Sequence, residues 1–155
     1  MSEPTRYVDL APGDASRALA GLPQDAPIVM LNLLRFRDVA RYADGDEAAG
    51  APCSGREAYL KRYSRVSVRT IAAVGGSVVF GAEALASLIG SPGEAWHQVF
   101  LVRYPSVAAF AAMLAMPEYQ AAVRHRTAAL EDSRLVAMLA PAPGPTAADL
   151  PRPPV

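Results

Sequence analysis

The stretch PIVMLNLLRFR, at residues 27–37, constrains the fold more than any other part of the chain. Its residue types favour a strand, and both of its alternating faces are apolar, which predicts a central strand covered on both sides. Asn32 is the one uncharged polar residue inside this apolar run. Because a buried amide is costly without hydrogen-bond partners, we expect Asn32 to bind either a ligand oxygen or a neighbouring backbone group.

The segments after this strand alternate between helical and extended patterns. Ser54 and Glu57 form a capping-box pair at the start of a helix, and Gly75-Gly76 ends that helix. Pro105 ends a later strand, and Pro117 restarts the helix that follows it. The predicted order is strand 27–37, helix 54–74, strand 77–89 with a bulge near Gly81, strand 95–104, a broken helix from 106, and strand 134–140.

This order predicts an α+β fold of the ferredoxin-like βαββαβ type. Right-handed crossovers then give a four-stranded antiparallel sheet with both helices on one face. The other sheet face is also apolar in this sequence, and exposed apolar faces of that size mark interaction sites. We therefore expect a homodimer in which two sheets close into a dimeric α+β barrel.

The chain divides into three predicted regions. Residues 1–23 are an N-terminal extension with a short edge strand at 7–10 and a helix capped by Asp14. Residues 24–140 form the ferredoxin-like domain. Residues 141–155, PAPGPTAADLPRPPV, are rich in Pro and Ala and predict a flexible tail.

Charge and cysteine content limit the classes of function. Lys+Arg and Asp+Glu both number 15, so the formal net charge is zero and the basic excess of a nucleic-acid-binding protein is missing. No apolar run reaches the length of a membrane span, which argues against a membrane protein. The start of the chain lacks the pattern of a signal peptide, and there is one cysteine, Cys53. We therefore expect a cytoplasmic protein.

Three segments carry a resemblance to a known family: PIVMLNLLRF, SGREAYLKRY, and the long segment from WHQVFLVRYPS through PEYQAAVRHR to Leu135. Together they resemble the family called domain of unknown function 1330, of the dimeric α+β-barrel superfamily, over residues 24–139. The resemblance implies a ferredoxin-like protomer and a homodimer. The wider superfamily includes cofactor-free monooxygenases, haem-degrading enzymes, dismutating enzymes and isomerases, so fold alone does not assign a reaction.

The candidate site residues are Asn32 and a group of polar side chains from the second half of the chain. Tyr119 and Arg126 follow helical spacing after Pro117, and Arg103 lies on the same sheet as Asn32. As a binding set, Asn32, Arg103, Tyr119 and Arg126 suit a small anionic or carbonyl-bearing ligand. His125 is the candidate general base. Each has a structural alternative: Arg126 pairs with Glu118, Glu131 or Asp132, and His125 is a solvated histidine.

Two functions follow from this pattern. In the first, the dimer binds a small organic molecule in a cavity and transforms it without a cofactor, in the manner of a monooxygenase or isomerase. In the second, the protein is a non-catalytic ligand-binding or structural dimer. The two histidines, His97 and His125, have no neighbouring ligand at metal-binding spacing, so we expect no metal site.

Overall fold

The computed structural model describes residues 6–10 and 12–141. Its helices and strands are named here in chain order. The α2 helix is continuous but has three parts: an α-helical turn Gly55–Glu57, a π-helical segment Ala58–Tyr63 and an α-helix Ser64–Ala73. The other elements are α1 (Pro12–Ala20), β1 (Ile28–Phe36), β2 (Ser77–Glu83), β3 (Gln98–Tyr104), α3 (Val107–Ala115), α4 (Pro117–Ala129) and β4 (Leu130–Leu139).

The four strands form one antiparallel sheet in the order β2-β3-β1-β4. Leu31 of β1 lies between Leu101 of β3 and Val136 of β4, which makes β1 a central strand as its two apolar faces predict. The predicted α+β, ferredoxin-like βαββαβ fold is therefore confirmed.

The two faces of the sheet differ in what covers them. The helix-facing side of β1 carries Ile28, Met30, Leu34 and Phe36, all of them buried in the main core cluster. Asn32 shares this face because side chains in a strand alternate with a period of two. The opposite face, which we call the outer face, carries Leu31 and its neighbours on β3 and β4.

Local sequence signals explain where the helices begin. The amide of Glu57 donates to the Ser54 side chain at 3.1 Å, and the amide of Ser54 donates to the Glu57 carboxylate at 3.2 Å, so the capping box is present. Ser106 caps α3 by accepting from the amide of Ala109 at 3.0 Å. Pro117 occupies the first turn of α4, where its missing N–H removes no intrahelical hydrogen bond.

Strand boundaries differ from the predicted ones on the outer half of the sheet. The β2 strand ends at Glu83, and its register shifts between Val78 and Phe80, close to the bulge predicted near Gly81. Residues 84–97 form a long loop before β3, because the strands of the described residues offer no partner to the aliphatic residues that predicted more strand here. The β4 strand begins earlier than predicted, at Leu130, where it leaves α4 directly.

The N-terminal extension lies against β4 without forming a strand over residues 6–10. The amide of Ser133 donates to the carbonyl of Tyr7 at 2.7 Å, and the amide of Tyr7 donates to the Asp132 carboxylate at 2.9 Å. The predicted tail lies outside the described residues apart from Pro141. Across the described ranges, every helix is too short or too polar to cross a membrane.

Candidate ligand-binding cavity

A cavity of about 810 Å³ lies between the helix-facing side of the sheet and helices α2, α3 and α4. The N-terminal segment closes part of it from outside, through residues 7–10 and 15–19. The lining is mainly aliphatic and aromatic, as expected for a site that takes a small organic molecule. The polar side chains in the lining include Asn32, Tyr59, Tyr63, Tyr119 and Arg126.

Asn32 reaches the cavity from the centre of the sheet. Its position on β1 places it on the helix-facing side, where it is half-buried. The amide nitrogen donates to the carbonyl of Met30 at 3.2 Å. Among the described residues no group donates to the amide oxygen, so Asn32 combines a local backbone contact with an acceptor that is available to a ligand.

Three tyrosines of the cavity form a connected aromatic group on α2 and α4. Tyr59 and Tyr63 both face inward from the π-helical segment, with ring centroids 4.9 Å apart. The hydroxyls of Tyr63 and Tyr119 are hydrogen-bonded at 2.9 Å. All three side chains are at least nine-tenths buried, so hydroxyl groups in this environment need partners from the protein or from a ligand.

Burial also sets the protonation state of these phenols. It raises the pKa of Tyr59 to about 12, although the nearby charge of Arg126 acts in the opposite direction. Burial together with the neighbouring Tyr119 and Tyr59 raises the pKa of Tyr63 well above its ordinary value. At neutral pH both groups are therefore protonated phenols, able to donate a hydrogen bond and unable to act as a strong base.

Arg126 holds the N-terminal segment against the cavity. From α4 its guanidinium donates to the carbonyl of Val8, lies 3.5 Å from the Asp9 carboxylate, and donates to the Ser133 hydroxyl at 3.5 Å. Its side chain is only 13% exposed. The acidic partner is thus Asp9 of the extension rather than Glu118, Glu131 or Asp132, the partners considered from the sequence.

Arg103 lies outside the cavity. It is exposed on the outer face of β3, paired in register with Val29 and Ser77. Since successive strand residues alternate between faces, Arg103 and its β3 neighbours Val102 and Tyr104 point to opposite sides of the sheet. Sharing a sheet with Asn32 does not bring Arg103 to the same ligand.

His125 also lies outside the cavity, in a separate cluster. Its Nδ1 is 2.8 Å from the hydroxyl of Tyr42, which accepts a hydrogen bond from Arg62 at 3.1 Å. Burial lowers the pKa of His125, and the charges of Arg124 and Arg62 lower it further. Consecutive helix residues are about 100° apart, and the side of α4 that carries His125 packs against Tyr42 instead of the cavity. The expected convergence on Asn32 therefore includes Tyr119 and Arg126 but not His125.

The structure adds residues to the site that the sequence did not single out. The sequence places Tyr59 and Tyr63 on the apolar stripe of a helix, which favours core residues, and their hydroxyls on that buried stripe are the signal that points to a site. Val8 and Asp9 carried no comparable signal, because their role depends on a contact with Arg126 far away in the chain. Within residues 6–10 and 12–141, no group of three or more His, Cys, Asp or Glu side chains is placed to hold a metal ion.

Comparison with known proteins identifies a family and two similar solved structures. The family model described as Domain of unknown function (DUF1330) matches residues 54–139. The chain is similar to the protein in the crystal structure of methylated RPA0582 protein, with 39% sequence identity and a TM-score of 0.78. The match covers 90% of this chain and 98% of that one. The RPA0582 protein of unknown function from Rhodopseudomonas palustris is 38% identical with a TM-score of 0.77, over 90% and 100%. No curated protein matches the chain.

Proposed function

We propose that this chain, which belongs to the DUF1330 family, binds a small organic molecule with an apolar body and one oxygen-bearing end. The observation that carries the proposal is the cavity of about 810 Å³, in which an aromatic and aliphatic lining meets a few convergent polar groups. Sites of this composition bury the apolar part of a ligand and use the polar groups to orient it.

The polar groups favour a ligand oxygen that accepts hydrogen bonds. Tyr59 and Tyr63 are protonated phenols, and Arg126 supplies guanidinium donors. A carbonyl oxygen suits this donor set, and Asn32 adds an acceptor for a hydroxyl or amide proton of the ligand. Arg126 is partly neutralised by Asp9, so its charge alone does not select an anion.

The same groups support binding better than catalysis. Proton abstraction needs a base with a pKa near the working pH. The phenols of Tyr59 and Tyr63 have raised pKa values, and His125 lies elsewhere. Asp9, the carboxylate in the described lining, contacts Arg126 and accepts from Thr127 at 3.0 Å. A ligand-binding protein is therefore the function that we favour over a cofactor-independent monooxygenase or isomerase.

Thermal-shift assays test this proposal with a panel of aromatic and short-chain aliphatic ketones, aldehydes and carboxylates. A ligand present at 100 times its Kd stabilises the protein by about 2.7 kcal/mol. We expect the shift to shrink in Tyr59→Phe and to persist in Arg65→Gln, since Arg65 is exposed on α2 and lies outside the cavity lining. A ligand whose shift is equal in both variants binds somewhere else. A panel without any shift contradicts the proposal.

We also propose that two copies pair through their outer faces. On this face Leu31 lies in register with Leu101 and Val136, and Phe80 lies opposite Leu101. Phe80 is 52% exposed and Val136 is 45% exposed in the single chain. A contiguous apolar surface of this kind is typical of a subunit interface.

The loop after β2 exposes further apolar side chains. Leu85, Leu88 and Ile89 are between 94% and 98% exposed, so the single chain gives them almost no packing partner. Sedimentation velocity tests the dimer with Val136→Glu, which adds a charge to the outer face. The control is Leu60→Glu, at a position of similar exposure on α2. We expect dissociation in the first variant only; a monomeric wild type at micromolar concentration contradicts pairing.

A further inference from the structure

A second concave surface, which we call the arginine pocket, lies where β1 ends and β4 begins. Its volume is about 460 Å³, and it shares no lining residue with the cavity described above. Side chains with N–H donors dominate its polar lining. Its polar lining residues are Arg35, Arg37, Asp38, Arg41, His97 and Glu131.

One carboxylate of the pocket is already neutralised. Glu131 forms an ion pair with Arg35 at 2.9 Å and accepts a hydrogen bond from Arg6 at 2.8 Å, so two guanidinium groups share it. Arg35 also donates to the carbonyl of Gly93 at 3.2 Å. Glu131 therefore leaves no negative charge to balance the other arginines of the pocket.

Arg37 and Arg41 have positive charge that the described protein does not compensate. Neither has a carboxylate within 4.0 Å among residues 6–10 and 12–141. The Nε atom of Arg37 is buried and has no hydrogen-bond partner there. Partly burying a guanidinium is unfavourable unless hydrogen bonds or an opposite charge offset the lost hydration. Asp38 also lines the pocket, but its exposed carboxylate does not pair with either arginine.

His97 adds a hydrogen-bond donor to the pocket, because its ring carries the proton on Nε2. The amide of Phe36 donates to Nδ1 of His97 at 3.0 Å, and the amide of His97 donates to the carbonyl of Leu34 at 2.8 Å. A backbone amide can only donate, so Nδ1 is the unprotonated ring nitrogen and Nε2 carries the proton. These two contacts fix the ring beside β1, and its remaining polar atom is an N–H donor.

We propose that the arginine pocket binds a small oxyanion, either inorganic phosphate or the phosphate or carboxylate group of a small molecule. Guanidinium groups pair with the two oxygens of such a group through parallel hydrogen bonds. Arg37 and Arg41 come from the turn that follows β1, Arg35 comes from the strand itself, and the Nε2–H of His97 supplies a further donor. The bound anion supplies the negative charge that the described residues do not place beside Arg37 and Arg41.

Isothermal titration calorimetry with sodium phosphate and with sodium acetate, at constant ionic strength, tests the site. Binding of phosphate alone assigns a phosphate site, and binding of both assigns a general oxyanion site. We expect Arg41→Gln to weaken binding about 10-fold, the loss of one charge-assisted hydrogen bond. Arg41 is exposed, so its substitution leaves folding intact, and Arg37→Gln provides a second variant. The matched control is Arg69→Gln, an exposed arginine on α2 outside the pocket.

Three results overturn the proposal. The first is the absence of binding heat from both titrants with the folded wild type. The second is equal affinity in wild type, Arg41→Gln and Arg37→Gln. The third comes from sedimentation of the same variants: if both dissociate an oligomer and leave anion binding unchanged, the arginines contact a second copy instead of an oxyanion.

Discussion

Substituting Gly55 with alanine tests how closely the start of α2 packs against the end of β1. A Cβ at this position would lie 2.4 Å from the carbonyl oxygen of Ala129, 2.5 Å from that of Arg37 and 2.7 Å from the amide nitrogen of Arg37. All three atoms belong to backbone, which cannot move aside as a side chain can. The helix must therefore shift by roughly 1 Å to restore ordinary contact distances.

The shift of α2 weakens the hydrogen bond from Gly55 N–H to Arg37 O at 3.0 Å, and the added Cβ disturbs the one from Arg37 N–H to Ala129 O at 2.9 Å, because it clashes with both bonded atoms. Overpacking costs about 1–3 kcal/mol and each backbone hydrogen bond about 1 kcal/mol, so we expect a loss of roughly 3–5 kcal/mol in the free energy of unfolding. Helix propensity alone predicts the opposite sign, a gain of about 0.5–1 kcal/mol for Gly→Ala.

Urea denaturation followed by far-ultraviolet circular dichroism measures the difference. Gly50→Ala is the matched control, because a Cβ there meets nothing within 4 Å. We expect the control to change stability by less than about 0.5 kcal/mol. If Gly55→Ala unfolds at the same urea concentration as the control, the packing described between α2 and β1 is wrong.

Three further predictions concern the cavity and its surroundings. Tyr63→Phe and Tyr119→Phe should each lower the free energy of unfolding, measured by urea denaturation, by about 1–3 kcal/mol, because each leaves one buried hydroxyl unpaired. The double variant should lose less than the sum of the two single losses. Additive losses contradict the hydrogen bond between the two hydroxyls. Arg126→Met should release the N-terminal segment and speed tryptic cleavage after the exposed Arg17 about 10-fold, so an unchanged cleavage rate contradicts the anchoring role. The pKa of His125 is lowered in the folded state, so the unfolded state binds more protons as the pH drops below 6.5. The free energy of unfolding should therefore fall as the pH drops from 6.5 to the folded-state pKa. Denaturation midpoints measured across this range should depend less on pH in His125→Asn than in wild type.

Most of the fold was predictable because local sequence signals agree with the tertiary structure. The two-faced β1 strand, the Ser54–Glu57 capping box and the helix restart at Pro117 each have a short-range physical cause, and each is present. The extent of β2 was not predictable in this way. Apolar residues at Leu85 and Ile89 favour a strand by composition, but a strand also needs a neighbour to pair with, and the sheet offers none there.

The candidate site was predictable only where a single helix or strand determines the direction in which a side chain points. The alternation of β1 places Asn32 on the helix-facing side, and the helical spacing of Tyr119 and Arg126 brings both to the cavity. His125 fails this test, because its side of α4 meets Tyr42 of the loop after β1, a contact that helical spacing does not encode. The contact between Arg126 and Asp9 spans most of the chain, and no local pattern encodes it.

The pairing of Arg126 with Asp9 has a consequence for the charge of the ligand. With Asp9 3.5 Å away, the guanidinium is partly neutralised, so the cavity should favour a neutral carbonyl over a carboxylate. Asp9→Asn keeps a side chain that can accept the hydrogen bond from Thr127 while it removes the negative charge. We expect this variant to shift the ratio of affinities several-fold towards the carboxylate, a modest change because Asp9 is partly exposed.

Paired titrations with a matched aromatic ketone and aromatic carboxylate, in wild type and in Asp9→Asn, measure this ratio. Tyr59→Phe is the control, because it removes a neutral donor and leaves the charge balance unchanged. An identical ratio in wild type and Asp9→Asn means that the Arg126 guanidinium does not contact the ligand. Arg126 then serves only to hold the N-terminal segment, and the phenols and Asn32 alone determine which oxygen-bearing molecules the cavity accepts.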